Sequence, residues 1–333
     1  MTGNRSLRQR MSLAAIVIAA GLLLATNAPP GLFRPAPAAR TAVITATPIP
    51  LFEDDPERRR LGVLTYAAGW SLASDNMRFG GISAIHVENG NVIAVSDSGL
   101  VIRFPVPNGS GTVTGTIDPL PDGPGSPDIK QDRDSEAMTI AGDRAWIAFE
   151  RRDAIWRYST NDWRSDAHAR PPAMVEWPNN SGSEGIVRLP DGRFLVFAES
   201  VREADGTSPV VAFEGDPALR STPARRLGFR PPTGYRVTDA AWLSGDHILV
   251  LTRRFALWEG LSAKLVLAPL PAIEDGALIE GRVIAEFRAP AAVDNLEAIS
   301  ITREKGRTIL WIASDDNFNP LQRTLLLKFA VDE

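Results

Sequence analysis

Short apolar runs alternate with turn residues along most of the chain. Five runs of four to six residues, rich in β-branched and aromatic side chains, each follow a tight turn that contains glycine, asparagine or aspartate. They are Val92–Asp97, Trp146–Glu150, Phe194–Glu199, Ile248–Leu251 and Leu310–Asp315. Short strands joined by tight turns predict an all-β protein.

A seven-residue pattern precedes each of these turns. Its clearest copies are Asp134–Ile140, Gly182–Arg188 and Asn295–Ile301, and more divergent copies begin at Gly81 and Val237. The third positions of successive copies lie 48–58 residues apart and are occupied by Ser83, Glu136, Glu184, Asp239 and Glu297. A motif repeated at this period predicts similar units stacked side by side. A β-sandwich would explain the strand spacing but not the repeated motif.

Further runs complete each unit. Third strands are predicted at Leu100–Phe104, Ala154–Tyr158, Val210–Phe213, Lys264–Ala268 and Thr324–Phe329. Fourth strands are predicted at Thr112–Ile117, Ala173–Trp177, Arg225–Phe229 and Arg282–Phe287. Four antiparallel strands in about 50 residues are typical of a propeller blade. The last unit lacks its outer strand, which Leu61–Tyr66 can supply. We therefore predict a five-bladed β-propeller closed by an N-terminal outer strand, with a six-bladed propeller as the alternative.

The N-terminus resembles an export segment. Three arginines precede the apolar stretch Met11–Ala25, whose length of about 15 residues is typical of a signal peptide and short for a membrane span. We predict a signal peptide or N-terminal membrane anchor at 1–28, a proline-rich linker at 29–59 and the propeller domain at 60–333. The protein is expected to be periplasmic or extracellular, with an uncleaved helix holding it at the inner membrane as the variant. Membrane contact is expected only through this segment.

Composition narrows the chemistry. The chain has no cysteine, which excludes disulfides, thiolate catalysis and cysteine metal sites, and its three histidines are far apart. The net charge of −4 gives no basic surface for nucleic acid.

Two sets of polar residues are expected at one end of the propeller channel, because first strands begin where second strands end. The first set is Ser83, Glu136, Glu184, Asp239 and Glu297, and the second is Asp97, Glu150, Glu199, Arg253 and Asp315. Crowded carboxylates must take up protons or cations, and Ca²⁺ prefers such oxygen ligands. The predicted metal ligands are Asp97, Glu136, Glu150, Glu184, Glu199, Asp239, Glu297 and Asp315, with Asp134, Asn295, Asp316 and Asn317 beside them.

Arginines near this end leave alternatives open. Arg151-Arg152 and Arg253-Arg254 occupy matching positions in two blades. They are suited to pair with the carboxylates in a purely structural ring, or to bind a phosphate ester or another polar ligand through Arg151 and Arg253. With a metal, such a surface would activate water for attack on phosphorus.

The motifs resemble those of the phytase-like family, described as "esterase-like activity of phytase". The resemblance rests on Asp134–Ala137, Gly182–Gly185, Asn295–Ile299 and Ser314–Asn317 and spans roughly residues 60–333. It implies a propeller linked to the hydrolysis of phosphate esters or esters. Together with the crowded carboxylates, it gives the hypothesis of an exported propeller that hydrolyses phosphate esters with the help of Ca²⁺. In that hypothesis Glu136, Glu184 and Glu297 are catalytic. Ser83 and Arg253 depart from the acidic pattern, and a non-catalytic periplasmic binding or scaffold propeller is the rival.

Overall fold

The computed structural model describes residues 40–175, 177, 182–199 and 206–332. Within these ranges the regular secondary structure is almost entirely β-strand, with two single-turn 3₁₀ helices at Lys130–Asp132 and Glu150–Arg152. The predicted signal or anchor segment, 1–28, lies outside them. None of the helices in the described ranges has the length and apolar character needed to cross a bilayer.

Three strands come before the repeated units. They are β1 (Thr41–Pro48), β2 (Arg60–Leu61) and β3 (Leu64–Ser74). The strands of the units follow in chain order. Blade one contains β4 (Ile82–Glu88), β5 (Asn91–Ser96), β6 (Leu100–Pro105) and β7 (Gly111–Pro119). Blade two contains β8 (Ser135–Ala141), β9 (Arg144–Phe149), β10 (Ala154–Ser159) and β11 (Ser165–Ala169). Blade three contains β12 (Ser183–Arg188), β13 (Phe194–Ala198), β14 (Ser208–Phe213) and β15 (Ala224–Phe229).

The last two blades complete the ring. Blade four contains β16 (Arg236–Ser244), β17 (His247–Ala256), β18 (Gly260–Pro269) and β20 (Arg282–Arg288), and the short β19 (Leu278–Ile279) pairs in parallel with β15. Blade five contains β21 (Leu296–Glu304), β22 (Arg307–Ser314), β23 (Thr324–Val331) and β3.

The first strands of the blades meet around a common axis. Each of β4, β8, β12, β16 and β21 contacts the first strands of both neighbouring blades, including the contact between β21 and β4 that closes the circle. The outer strand β3 pairs with β23 antiparallel, and this confirms the five-bladed propeller closed by an N-terminal outer strand. We call the end where first strands begin and second strands end the mouth face.

The seam between the first and last blades contains one strand more than the sequence pattern predicted. Strand β1 pairs antiparallel with both β3 and β7, so the outer strands of blades five and one belong to a single sheet. Its alternate residues Ala42, Ile44 and Ala46 are buried. The propeller therefore begins by residue 41, inside the stretch 29–59 that the proline content assigned to a linker.

The outer strand of blade two also differs from the prediction. It is β11, whose sequence Ser-Asp-Ala-His-Ala carries little apolar character, and the predicted strand at Ala173–Trp177 is wrong. Pro171 and Pro172 lead instead into consecutive turns, in which Met174 and Trp177 donate to carbonyls three residues earlier. Both side chains are buried against the inner strands, which explains why the apolar pattern resembled a strand.

The core lies between the blades. Aromatic pairs such as Trp146 with Phe194, 4.9 Å between ring centroids, join blade two to blade three. Apolar clusters of this kind connect successive blades around the ring and fix the inner strands radially. The mouth-face ends of those strands are thereby held at fixed positions.

Candidate functional site

A β-bulge interrupts the first strand of every blade at its mouth-face end. The extra, unpaired residues are Ser83, Glu136, Glu184, Thr238 and Glu297. A bulge bends the strand and redirects a side chain without ending the sheet. In three blades the bulge residue is therefore a glutamate at the wall of the channel.

A repeated backbone contact places the second set beside the first. The N–H groups of Asp97, Glu150, Glu199 and Asp315 each donate to a carbonyl two residues before the bulge of their own blade, at 2.9–3.1 Å. In blade four, Arg253 is the residue that corresponds to these acidic residues. It pairs with Arg236, which also lies two residues before the bulge of its blade. One backbone pattern, used five times, thus sets the residues that follow the second strands next to the bulges.

Seven of the eight carboxylates predicted as ligands meet at this end of the channel. Glu136 is within electrostatic reach of Glu184, Glu297 and Asp97. Glu184 is similarly close to Glu199 and Glu150, and Glu297 to Asp315. With Asp134, which neighbours Glu136 and Glu150, we call this set the carboxylate cluster; its members are Asp97, Asp134, Glu136, Glu150, Glu184, Glu199, Glu297 and Asp315.

Asp239 does not join the carboxylate cluster. It follows the bulge rather than forming it, and its two oxygens accept the N–H groups of Ala240 and Ile299, both at 2.7 Å. This carboxylate links blade four to blade five. Both of its oxygens are engaged by backbone N–H groups, so Asp239 is not placed to bind a ligand together with the cluster. The sequence alignment of blade four was displaced by one residue, because Thr238 and Asp239 both fit the degenerate motif.

The two bulge residues that are not glutamates have another use. Ser83 donates its hydroxyl to the carbonyl of Ser135 at 2.5 Å, and Thr238 donates to the carbonyl of Leu296 at 3.3 Å. Each acceptor is the residue before the bulge of the next blade. Blades one and four therefore bind their neighbours where the other three present carboxylates.

Four cations contact the carboxylate cluster. Lys130 lies 2.5 Å from Asp97, and Arg151 donates through Nε to Asp134 at 2.6 Å. Arg253 contacts Glu297 at 2.8 Å and Glu199 at 3.5 Å, and also donates to Asn295. Arg236 lies 3.6 Å from the second oxygen of Glu199. Eight carboxylates against four cations leave four uncompensated negative charges within this set if every group is ionised.

The pKa values of the cluster are raised. Burial, followed by repulsion from neighbouring carboxylates, lifts the pKa of Glu136, Glu184 and Asp315 well above their ordinary range. Burial and the charge of Asp134 raise the pKa of Glu150 to about 7. Burial also raises the pKa of Glu297, although Arg253 opposes the shift. The cluster therefore favours the uptake of protons or of a cation.

One group within the cluster has the spacing of a metal site. The carboxylates of Asp134, Glu136 and Glu150 each offer an oxygen, and the three oxygens lie within 4.8 Å of one another. Asp134 and Glu150 are buried and Glu136 is half-buried. An all-oxygen donor set of this kind suits a hard cation such as Ca²⁺.

Sequence reasoning placed Asp134 only beside the site and missed Lys130 entirely. Lys130 lies on the short helix in the connection between blades one and two, at a position that has no counterpart in the repeat. No periodic signal could have found it. A cavity of about 560 Å³ lies on the opposite face, beside Tyr66, Trp70 and Asn108, and none of the cluster residues line it.

Asp316 and the two asparagines predicted beside the ligands mainly organise the mouth. Asp316 accepts the N–H groups of Gly81 and Phe318 and the hydroxyl of Thr324. Asn295 donates to Glu297 at 2.8 Å, and the Asn317 N–H donates to Asp315 at 2.6 Å. These contacts orient the acidic side chains.

Comparison with solved structures finds distant matches, one of which is described as a β-propeller domain. A glutaminyl cyclase of Myxococcus xanthus is 10% identical over 81% of this chain and 97% of its own, with a TM-score of 0.44. The Cps50 (Swd1) β-propeller domain of Myceliophteria thermophila is 11% identical over 80% of this chain and 78% of its own, with a TM-score of 0.37. RS223-β-xylosidase is 13% identical over 75% and 92%, with a TM-score of 0.41. The five-bladed architecture rests on the sheets described above.

Comparison with curated proteins finds no match. The family model for phytase-like proteins, described as "esterase-like activity of phytase", matches residues 77–318. That range runs from the loop before blade one to the loop before the last strand of blade five. It contains every residue of the carboxylate cluster and the four cations that contact it. The chain belongs to the phytase-like family.

Proposed function

We propose that this propeller hydrolyses phosphate esters at its mouth face with the help of a bound divalent cation, most suitably Ca²⁺. The observation that carries the proposal is the group Asp134, Glu136 and Glu150, whose oxygens approach within 4.8 Å inside a cluster with a large excess of carboxylates. The family description, esterase-like activity of phytase, names a matching reaction class.

The residues fit a calcium ion on chemical grounds. Ca²⁺ takes about 6–8 oxygen ligands with loose geometry, and the cluster supplies carboxylates from four blades. Asp134, Glu136 and Glu150 would hold the ion, with Glu184, Glu199, Glu297, Asp97 and Asp315 around it. When bound, the ion would offset part of the negative charge of the cluster, polarise a phosphoryl oxygen and make a bound water more acidic.

The cations of the cluster are suited to an anionic substrate. Arg151 keeps 41% of its side chain exposed and Lys130 keeps 54%, so both charges are accessible at the mouth. Arg253 is less exposed, at 26%, and already bridges Glu199 and Glu297. We assign the phosphoryl group to Arg151 first and to Arg253 second, because guanidinium donors match phosphate oxygens.

The glutamates would manage the proton. A general acid or base works best when its pKa lies near the working pH, so the role suits carboxylates outside the group Asp134, Glu136 and Glu150 whose pKa values are raised by burial. Glu184 and Glu297 are such groups, and they would orient the attacking water or protonate the leaving group. Glu136 would serve the ion and the water together.

The test is hydrolysis of a chromogenic phosphomonoester and of a short-chain ester by the purified full chain, with Ca²⁺ and with chelator. We expect phosphomonoester turnover that is lost in chelator and in Glu136→Gln. The matched control is Glu304→Gln, an exposed glutamate paired with Lys328 away from the cluster, which should keep full turnover. Turnover that persists in chelator at an unchanged rate would contradict the metal-assisted mechanism.

A non-catalytic charged ring is the second candidate, and the ion pairs favour it. Lys130, Arg151 and Arg253 already satisfy Asp97, Asp134, Glu199 and Glu297. In that case neither ester is hydrolysed, and Ca²⁺ changes the melting temperature little. A rise in melting temperature with Ca²⁺ but without turnover would instead indicate a structural ion.

A further inference from the structure

Large apolar side chains are exposed on the mouth face. Met77 precedes blade one and is 79% exposed, Ile129 precedes blade two, and Leu321 precedes the third strand of blade five and is 86% exposed. Val175 occupies the matching loop of blade three. All these loops join strand ends that lie at the mouth, so the residues encircle the opening to the carboxylate cluster.

Blade four contributes the most prominent part of this rim. Strands β17 and β18 continue beyond the ring position Arg253 and pair as far as Ala256 and Gly260. The tip of this hairpin exposes Phe255, Leu257 and Trp258, and Trp258 is 81% exposed. We call the set of Met77, Ile129, Val175, Phe255, Leu257, Trp258 and Leu321 the apolar rim.

Cations lie beside three residues of the apolar rim. Lys130 follows Ile129 and is exposed, whereas Arg78, after Met77, and Arg254, beside Phe255 on the blade-four hairpin, are half-buried. Arg254 is paired with Glu259 on the same hairpin. Aromatic and aliphatic side chains interspersed with arginine and lysine are typical of protein surfaces that lie at the interface of a bilayer. A protein–protein surface would be expected to concentrate its apolar residues in one central patch rather than around an acidic opening.

The start of the domain lies on the same face. Strand β1 runs antiparallel to β7, and Thr41 pairs with Thr116 near the mouth-face end of β7. The preceding 40 residues include the apolar stretch Met11–Ala25. A chain that leaves the domain at the mouth face and carries such a stretch would place that face toward the membrane.

We propose that the apolar rim docks on a phospholipid surface, so that the channel mouth faces the bilayer. Membrane contact then involves the propeller itself and not only the N-terminal segment. The proposal does not depend on hydrolysis or on a bound cation, since the carboxylate cluster lies behind the rim and takes no part in the contact.

Tryptophan fluorescence provides the test. Trp258 is exposed, whereas the other seven tryptophans are buried or half-buried, and residues 1–39 contain none. The full chain is mixed with vesicles of phosphatidylcholine and phosphatidylglycerol in which the phosphatidylcholine carries brominated acyl chains. We expect quenching of part of the emission, protection of Trp258 from acrylamide, and loss of the quenched component in Trp258→Phe.

Two further variants separate the rim from the N-terminal segment. Phe255→Ser combined with Leu257→Ser should lower the bromolipid quenching of Trp258, whereas Leu219→Ser, an exposed leucine in a loop on the opposite face, should not. Vesicle-bound protein whose Trp258 stays unquenched and open to acrylamide would overturn the proposal. Failure to bind vesicles at all, or protection of Trp258 that rises with protein concentration without vesicles, would overturn it as well.

Discussion

Arg253 is the cation most deeply placed in the carboxylate cluster, and its removal tests the electrostatic account of the site. It contacts Glu297 at 2.8 Å and Glu199 at 3.5 Å, and the two carboxylates are only 14% and 12% exposed. Arg253→Met keeps much of the side-chain volume but leaves both glutamates without this partner. Breaking one member of a buried ion pair costs about 3–5 kcal/mol.

The expected cost is lower here because Glu297, whose pKa is raised by burial, can take up a proton, and because Glu199 keeps Arg236 at 3.6 Å. At an effective dielectric constant of about 20, a charge pair at about 4 Å is worth about 4 kcal/mol. With discount for the exposed quarter of Arg253, we expect a loss of about 2–3 kcal/mol in the free energy of unfolding at pH 8. At pH 5 the loss should fall to about 1 kcal/mol, because burial raises the pKa of Glu297 and this carboxylate then carries less charge for Arg253 to compensate.

Urea unfolding followed by circular dichroism measures this difference. The matched control is Arg193→Met, which removes an ion pair with Asp191 at an exposed turn and should cost less than about 1 kcal/mol at both pH values. If Arg253→Met at pH 8 equals the control, Glu199 and Glu297 carry no effective charge in the folded protein. A double variant with Glu297→Gln should then show no coupling energy, and the electrostatic account would be refuted.

Three further outcomes are expected. Without divalent cations the melting temperature should decrease as the pH rises from about 4.5 through 7, because the pKa of Glu150 is raised to about 7 in the folded protein and its proton is lost over that range. Ca²⁺ should make the melting temperature less dependent on pH. A melting temperature that does not change with pH in the presence of chelator would contradict the raised pKa. Asp239→Asn should cost about 1–3 kcal/mol in urea unfolding, because an amide accepts only one of the two backbone N–H donors, and should leave any Ca²⁺ affinity unchanged in calorimetry. Ile44→Ala should cost about 2–4 kcal/mol, whereas the exposed neighbour Val43→Ala should cost less than about 1 kcal/mol; equal effects would show that β1 is not part of the cooperative unit.

The parts of the fold that depend on local pattern could be predicted from the sequence. Inner strands such as Trp146–Phe149 are apolar because both faces of an inner strand are covered by neighbouring blades. Their turns carry glycine at positive φ, as at Gly142 and Gly306. The recurrence of the motif predicts units arranged radially, and a radial arrangement places Glu136, Glu184 and Glu297 together around the axis.

The features that were missed depend on pairing between distant parts of the chain. Nothing local shows that β1 pairs with two blades at once, because its alternation of small and polar residues also suits an extended linker. The outer strand β11 is paired only through β10, so its side chains carry no periodic signal. Lys130 reaches Asp97 from a connection unique to one blade. A repeated motif predicts only the features that recur in every blade, and β1, β11 and Lys130 each occur once.

The one-residue error in blade four shows that the pairing register of the strands determines which side chain enters the site. The bulge position is set by the backbone register, and the register depends on which residue of the pair Thr238 and Asp239 is left unpaired. A hydroxyl at the bulge binds the next blade, as Ser83 also does, whereas a glutamate there extends toward the channel. Asp239 is then free to fasten blade five through the N–H of Ile299. All five blades therefore share the same backbone bulge, and the residue at the bulge decides its role. In blades one and four the bulge residue binds the next blade, and in the other three it is a glutamate of the carboxylate cluster.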